Sequence, residues 1–214
     1  MDLIPFYLYV NLVVLILWYH FKDRMESDLQ LWGYYFSFCL VAEFAAALYS
    51  IQTHRSNHWA YNLFTTGQLI FLSTIYRKVL TSKVSLKSIS IFIILYPLMV
   101  CVNLIFIQSF YKFHTLTYAM GVLFIVTLTF SYFNQLLHSE KILSLRRTPY
   151  FWFNIGNAVQ FIGSIFYYCS INFINEAALD RYGELINIFA YSFTAIQYFF
   201  FIIAILCNLK RKAS

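Results

Sequence analysis

Seven long apolar runs constrain this chain more than any other feature of its sequence. They cover residues 4–20, 31–51, 58–76, 89–109, 115–137, 150–171 and 185–207. An α-helix needs about 20 apolar residues to cross a hydrocarbon core of about 30 Å. Strands of a membrane barrel alternate apolar and polar residues over about 10 positions, whereas these runs are longer and apolar on all sides. The sequence therefore predicts an all-α, polytopic membrane protein whose residues 1–214 form a single seven-helix transmembrane domain.

Composition favours lipid as the solvent of this chain. Its residues are 61% hydrophobic and only 11% charged, whereas soluble domains carry about 25% charged residues. The formal charge of +6 comes from basic residues in short loops between the runs. That pattern is typical of membrane topology and not of a nucleic-acid groove, so we expect the lipid bilayer as a partner and no nucleic acid.

The loop charges predict an orientation. Twelve of the fifteen lysines and arginines follow runs one, three, five and seven, and the other side has only Arg55, Lys112 and Arg181. Because cytoplasmic loops are enriched in basic residues, we expect the N-terminus outside and the C-terminus in the cytoplasm.

Glu43 is the most informative single residue for function. It is the only acidic side chain deep in a predicted span, and no lysine or arginine lies at matching depth. Ionisable residues inside membrane spans face the protein interior or a water-filled cavity and mark functional sites. Two interpretations stay open: a protonated carboxyl that hydrogen-bonds neighbouring helices, or a group of a ligand, ion or proton site.

Nearly every run carries a polar side chain near its midplane. These residues are Asn11, Glu43, Gln68, Asn103, Thr127, Gln160 and Gln197. Run six is the most polar, and its polar residues share one helix face, since they recur at steps of three and four: Asn154, Asn157, Gln160 and Ser164. Such a layer either joins helices or lines a small pocket. We predict a ligand-binding pocket between helices two, three, six and seven, formed by Glu43, Gln68, Asn157, Gln160 and Gln197.

No catalytic or cofactor signature accompanies this layer. An intramembrane enzyme needs a paired acid, base or nucleophile at depth, and one carboxyl does not supply it, so we expect no enzymatic activity and no cofactor. The cysteines lie inside apolar runs without paired spacing, which favours buried apolar packing over a disulfide or a metal site. They are Cys39, Cys101, Cys169 and Cys207.

Three histidines lie near helix ends on the expected outer side: His54, His58 and His114. We expect solvated loop residues, because a metal site needs a full set of converging ligands. A pH-responsive cluster stays open as an alternative.

Two segments resemble a known group of proteins. Residues 57–62 (NHWAYN), continuing to Gln68, and residues 149–156 (PYFWFNIG) are similar to segments of uncharacterised seven-helix bacterial inner-membrane proteins. The resemblance implies a bacterial inner-membrane location and a sensory role beside two-component kinases. Typical members carry an acidic residue where Gln68 stands, and the group brings no established activity.

The leading hypothesis is a membrane sensor or receptor-like module that binds a small ligand and signals through a separate partner. The partner is needed because the loops are too short to hold a signalling domain. One alternative is a small-solute or proton-coupled transporter, favoured by Glu43 and by a weak match between two three-helix halves joined by helix four. Another is a structural subunit of a membrane complex. The oligomeric state stays open.

Overall fold

The computed structural model describes residues 5–54, 56–176 and 184–213, with side chains described except at positions 28, 140–143, 166–187 and 210–213. Within these ranges the chain forms seven α-helices and no strand, which confirms the predicted all-α class. The helices are α1 (Phe6–Phe21), α2 (Gln30–Thr53), α3 (His58–Val79), α4 (Lys83–Val102), α5 (Thr115–Leu137), α6 (Pro149–Glu176) and α7 (Glu184–Ala213). A π-helical turn, Asn103–Ile107, follows α4 directly, and we call it the π turn.

Four helical segments among the described residues are long and apolar enough to cross a membrane. They are Gln30–Thr53, Lys83–Ile107, Thr115–Leu137 and Ile188–Leu209. The α4 segment also exposes large apolar side chains such as Ile94, Leu98 and Ile105, as a lipid-facing helix would. These features indicate a membrane protein. Of the other helices, α1 has only 16 residues, and α3 and α6 carry many of the polar side chains.

The helices follow the predicted runs closely, with α4 as the main difference. Hydropathy predicts its start at residue 89, but the helix begins at Lys83. The first turns contain Lys83 and Lys87, which are good helix formers but too polar to count in an apolar run. The helix therefore extends beyond its apolar part.

The chain groups into two compact units, and the first contains Glu26–Gln135. In this unit α3 packs against both α2 and α4. The rings of Phe38 and Phe71 stack at 5.8 Å between α2 and α3, and those of Phe92 and Phe124 stack at 4.1 Å between α4 and α5. Aromatic packing thus joins successive helices of the unit.

The second unit contains Pro5–Met25 and the described residues from Leu136 onward. In it α7 contacts both α1 and α6. Asn11 of α1 donates a hydrogen bond of 3.1 Å to the Tyr198 hydroxyl of α7, and Phe153 of α6 stacks on Phe201 of α7 at 4.7 Å. The two units do not correspond to the two three-helix halves suggested by the weak sequence match, because α1 groups with α6 and α7.

Some predictions fall outside the described residues. Arg55 and Arg181, two of the three basic residues expected outside, are among them, as is the side chain of Cys169. Of the other cysteines, Cys39 and Cys207 are buried as expected, but Cys101 is exposed. Its position on the apolar surface of α4 explains the difference, since a thiol tolerates an apolar environment.

Candidate functional site

Glu43 and Gln68 lie in the first unit beside a buried tyrosine. Both side chains are buried, and Tyr35 of α2 is completely inaccessible. Nε2 of Gln68 donates a hydrogen bond of 3.3 Å to the Tyr35 hydroxyl, which joins α3 to α2. Tyr35, Cys39 and Glu43 recur at four-residue steps and therefore share one face of α2. The result is a buried polar cluster, Tyr35–Gln68–Glu43.

An apolar groove of about 400 Å³ lies between the same two helices. Alanines and aromatic rings line it: Phe38, Ala42, Ala45, Ala46, Tyr49, Trp59, Ala60, Leu63 and Phe64. Ala42 directly precedes Glu43 in the sequence, and Phe64 lies one helical turn before Gln68. Apolar space and buried polar groups therefore occur on neighbouring turns of α2 and α3, a combination typical of small-molecule sites.

Asn157, Gln160 and Gln197 lie in the second unit. Nε2 of Gln197 donates a hydrogen bond of 2.9 Å to Oδ1 of Asn157, and both side chains are buried. Gly156 makes this pairing possible, because a Cβ there would lie 3.0 Å from the Gln197 carbonyl oxygen. Gln160 is half-buried, and its Oε1 lies 3.4 Å from the Thr194 hydroxyl. The polar face of α6 thus packs against α7.

The five predicted site residues are therefore found in two places. Glu43 and Gln68 belong to the polar cluster of the first unit, and Asn157 and Gln197 are bonded to each other in the second. A single pocket lined by all five stays a prediction. Sequence reasoning does not predict Tyr35 as a site residue, although its four-residue spacing from Cys39 and Glu43 indicates that it shares their helix face.

Thr127 does not belong to a buried polar layer. Its side chain is exposed, and its hydroxyl donates to the Leu123 carbonyl of the same helix at 2.8 Å. The prediction is wrong because a threonine can satisfy its hydroxyl within its own helix and still face lipid. Two residues later Thr129 is buried, and its hydroxyl lies 2.7 Å from that of Tyr76 on α3.

His114 is fully buried, contrary to the expectation of a solvated loop residue. Its Nε2 lies 2.8 Å from the Thr65 hydroxyl of α3, and its Nδ1 lies 2.8 Å from the Thr117 hydroxyl of α5. Its backbone N–H donates to Oδ1 of Asn62 at 3.1 Å. Burial lowers the pKa of His114 from 6.5 to about 4, and a backbone hydrogen bond at Asn62 opposes this only in part.

The π turn connects to this histidine through Asn103. Nδ2 of Asn103 donates to the Thr117 hydroxyl at 3.2 Å and to Oε1 of Gln108 at 2.8 Å. Nε2 of Gln108 donates in turn to the Thr115 hydroxyl at 2.9 Å. Hydrogen bonds therefore link α3, the π turn and the start of α5 around His114. We call Thr65, Asn103, His114 and Thr117 the His114 network.

No group of three metal-ligating side chains occurs among the described residues. The chain matches no protein-family model, no curated protein and no solved structure. The resemblance to seven-helix bacterial membrane proteins therefore stays a prediction, and function must be argued from the chain's own residues.

Proposed function

We propose that this protein is a seven-span sensor or receptor-like module of the cell membrane that binds a small ligand and signals through a separate partner. Four sufficiently apolar helices support the membrane location. The distribution of basic residues, twelve against three, supports an external N-terminus and a cytoplasmic C-terminus. The sequence resemblance favours a bacterial inner membrane.

The buried polar cluster Tyr35–Gln68–Glu43 is the observation that carries this proposal. A carboxyl, a phenol and an amide inside apolar helices are costly and are retained where they have a functional role. Together they offer hydrogen-bond acceptors and donors to a small polar molecule, and the groove between α2 and α3 offers apolar space nearby. The ligand class that fits is a small molecule with both a polar and an apolar part. Asn157, Gln160 and Gln197 are further candidate polar groups in the second unit.

Signalling requires that the ligand bind one conformation more tightly than another. In the first unit the Tyr35 hydroxyl and the Gln68 amide are bonded to each other across α2 and α3. A ligand that bonds either group replaces this interhelical contact and lets the two helices repack. The cluster therefore couples ligand binding to helix packing.

In this proposal a separate partner provides the output. The described connections are short, such as the three residues between α3 and α4, and they hold no domain that could transmit a signal. A partner can contact the basic loops expected in the cytoplasm.

A ligand screen tests the proposed site. We would measure the unfolding temperature of the purified protein against a panel of small amines, carboxylic acids and sugars. A ligand at 100 times its Kd stabilises a folded protein by about 2.7 kcal/mol. Any stabilisation should be lost in Glu43→Gln and kept in Tyr34→Phe, because Tyr34 is 66% exposed. Stabilisation that survives Glu43→Gln would place the ligand elsewhere.

A transporter is the second candidate, and a proline together with a π turn in the α4 segment favours it. Pro97 lies inside α4, and the π turn ends the helix. Interrupted helices are common in transporters. Solute-dependent proton uptake into proteoliposomes, abolished by Glu43→Gln, would support transport and contradict a sensor that carries no solute.

A further inference from the structure

The buried imidazole of His114 lies at the beginning of α5. Its carbonyl accepts the first backbone hydrogen bond of that helix, from the Tyr118 N–H at 2.9 Å. The other described histidines, His20, His54, His58 and His138, are exposed. Among the described residues, His114 is thus the one histidine that would be buried when it becomes protonated.

Each donor hydrogen of the His114 network has an acceptor when the His114 ring is neutral. The single hydrogen of the Thr65 hydroxyl is directed to the Tyr61 carbonyl at 2.7 Å, so that hydroxyl accepts from Nε2–H of His114. Nδ1 of a neutral ring is then an acceptor, and it receives the hydrogen of the Thr117 hydroxyl. The Thr117 oxygen accepts in turn from Nδ2 of Asn103.

A second ring proton disturbs this arrangement. It would bind Nδ1, where the Thr117 hydrogen already points, and Thr117 would have to turn its hydrogen to the His114 carbonyl at 3.3 Å. The 2.8 Å bond between the ring and Thr117 then reverses its direction, with Nδ1–H as donor, and the Thr117 hydrogen is left with the longer bond to the His114 carbonyl. Protonation therefore replaces the hydrogen-bond pattern of the neutral network with one in which the Thr117 hydrogen makes a longer, weaker bond.

The surroundings of the ring do not compensate a positive charge. The described titratable groups around it are the Tyr118 phenol, whose ring centre is 6.2 Å away, and the exposed Lys112 in the preceding loop. The neighbouring α3 and π turn contribute only neutral amides and hydroxyls to it. The positive end of the α5 dipole also disfavours a cation at this position.

We propose that His114 is a proton-sensing site whose protonation releases the contact between α3, the π turn and the start of α5. The imidazole of His114 has a pKa of about 4 when it is enclosed, and of about 6.5 when it is open to solvent. The free energy that favours the enclosed form is therefore fully present above pH 6.5. That preference is lost as the pH falls from 6.5 towards 4. The expected topology places this end of the helices outside, so the sensed proton comes from the external medium. The inference does not depend on the ligand site at Glu43.

A spin label in the α4–α5 connection tests this directly. Tyr111, which is 79% exposed, is changed to cysteine in a background with the four native cysteines replaced by alanine. The full-length protein is labelled in lipid nanodiscs, and label mobility is recorded by EPR between pH 7.5 and pH 4. We expect the mobile fraction to rise at least twofold below pH 6.5. A mobility that does not change with pH overturns the proposal.

Two histidine variants show whether His114 causes the pH-dependent change in label mobility. His114→Gln should remove it, and the matched control His58→Gln should retain it, because His58 is already exposed. A transition that persists in His114→Gln overturns the proposal, since external carboxyl groups would then cause it. If His114→Gln fails to fold, the variant with glutamine at the other four histidines provides the second test. It retains only His114, so it must keep the transition, and loss of the transition contradicts the proposal.

Discussion

Nε2 of Gln68 and the hydroxyl of Tyr35 are 3.3 Å apart and form a hydrogen bond between α3 and α2 on the helix face that carries Glu43. Hydrogen bonds between helices in a membrane are each worth about 0.6–2 kcal/mol. This bond is therefore strong enough to hold two helices in one arrangement and weak enough for a ligand to replace.

Removal of the Tyr35 hydroxyl should destabilise the first unit. We expect Tyr35→Phe to lower the free energy of unfolding by about 0.6–2 kcal/mol, since the buried Gln68 amide loses its acceptor. Unfolding with increasing mole fraction of SDS in mixed micelles measures the change. The neighbouring Tyr34→Phe is the control and should change little, because Tyr34 is 66% exposed. Equal effects of the two substitutions would show that the hydrogen bond does not contribute.

The Asn157–Gln197 pair should contribute independently in the second unit. We expect Gln197→Leu and Asn157→Leu to be destabilising singly, by about 0.6–2 kcal/mol each. The double variant should lose less than the sum of the two, because the residues form one bond of 2.9 Å. The same SDS titration measures the cycle, with Thr127→Val as an exposed polar control that should be nearly neutral. Additive losses would contradict the pairing.

Helix positions could be predicted from the sequence because long runs of high hydropathy mark the segments that are stable as helices in lipid. The predicted run 115–137 coincides with α5, and the other predicted starts differ by at most two residues except at the polar start of α4, whereas the predicted ends differ by up to seven residues. Glu43, Gln68, Asn157 and Gln197 are buried, as polar side chains in apolar helices should be.

The partners of these side chains could not be predicted, because they depend on packing between helices distant in sequence. Thr127 faces outward since its hydroxyl bonds within its own helix. His114 is buried because α3 and the π turn enclose it, and a π turn has no clear sequence signal. Periodicity places a residue on a helix face, but it does not reveal which helix covers that face.

Gly163 should be required for the close approach of α6 and α7. A Cβ at this position would lie 2.8 Å from the ring of Phe193, so we expect Gly163→Ala to destabilise the protein by about 1–3 kcal/mol through overpacking. Thermal unfolding in detergent measures the loss. The second substitution Phe193→Leu removes the ring and should restore part of the stability. If Gly163→Ala is neutral, or if the double variant is worse than the single ones combined, the close approach is contradicted.

If the protein is a sensor as proposed, it signals through another chain. The most direct measurement is gentle affinity purification of the protein from native membranes, with mass spectrometry of every protein that accompanies it in stoichiometric amount. We expect a signalling protein, such as a kinase, to co-purify at a constant ratio to the chain. If the chain instead comes out folded, stable and alone, it lacks the output that a sensor needs, and the sensor function is contradicted.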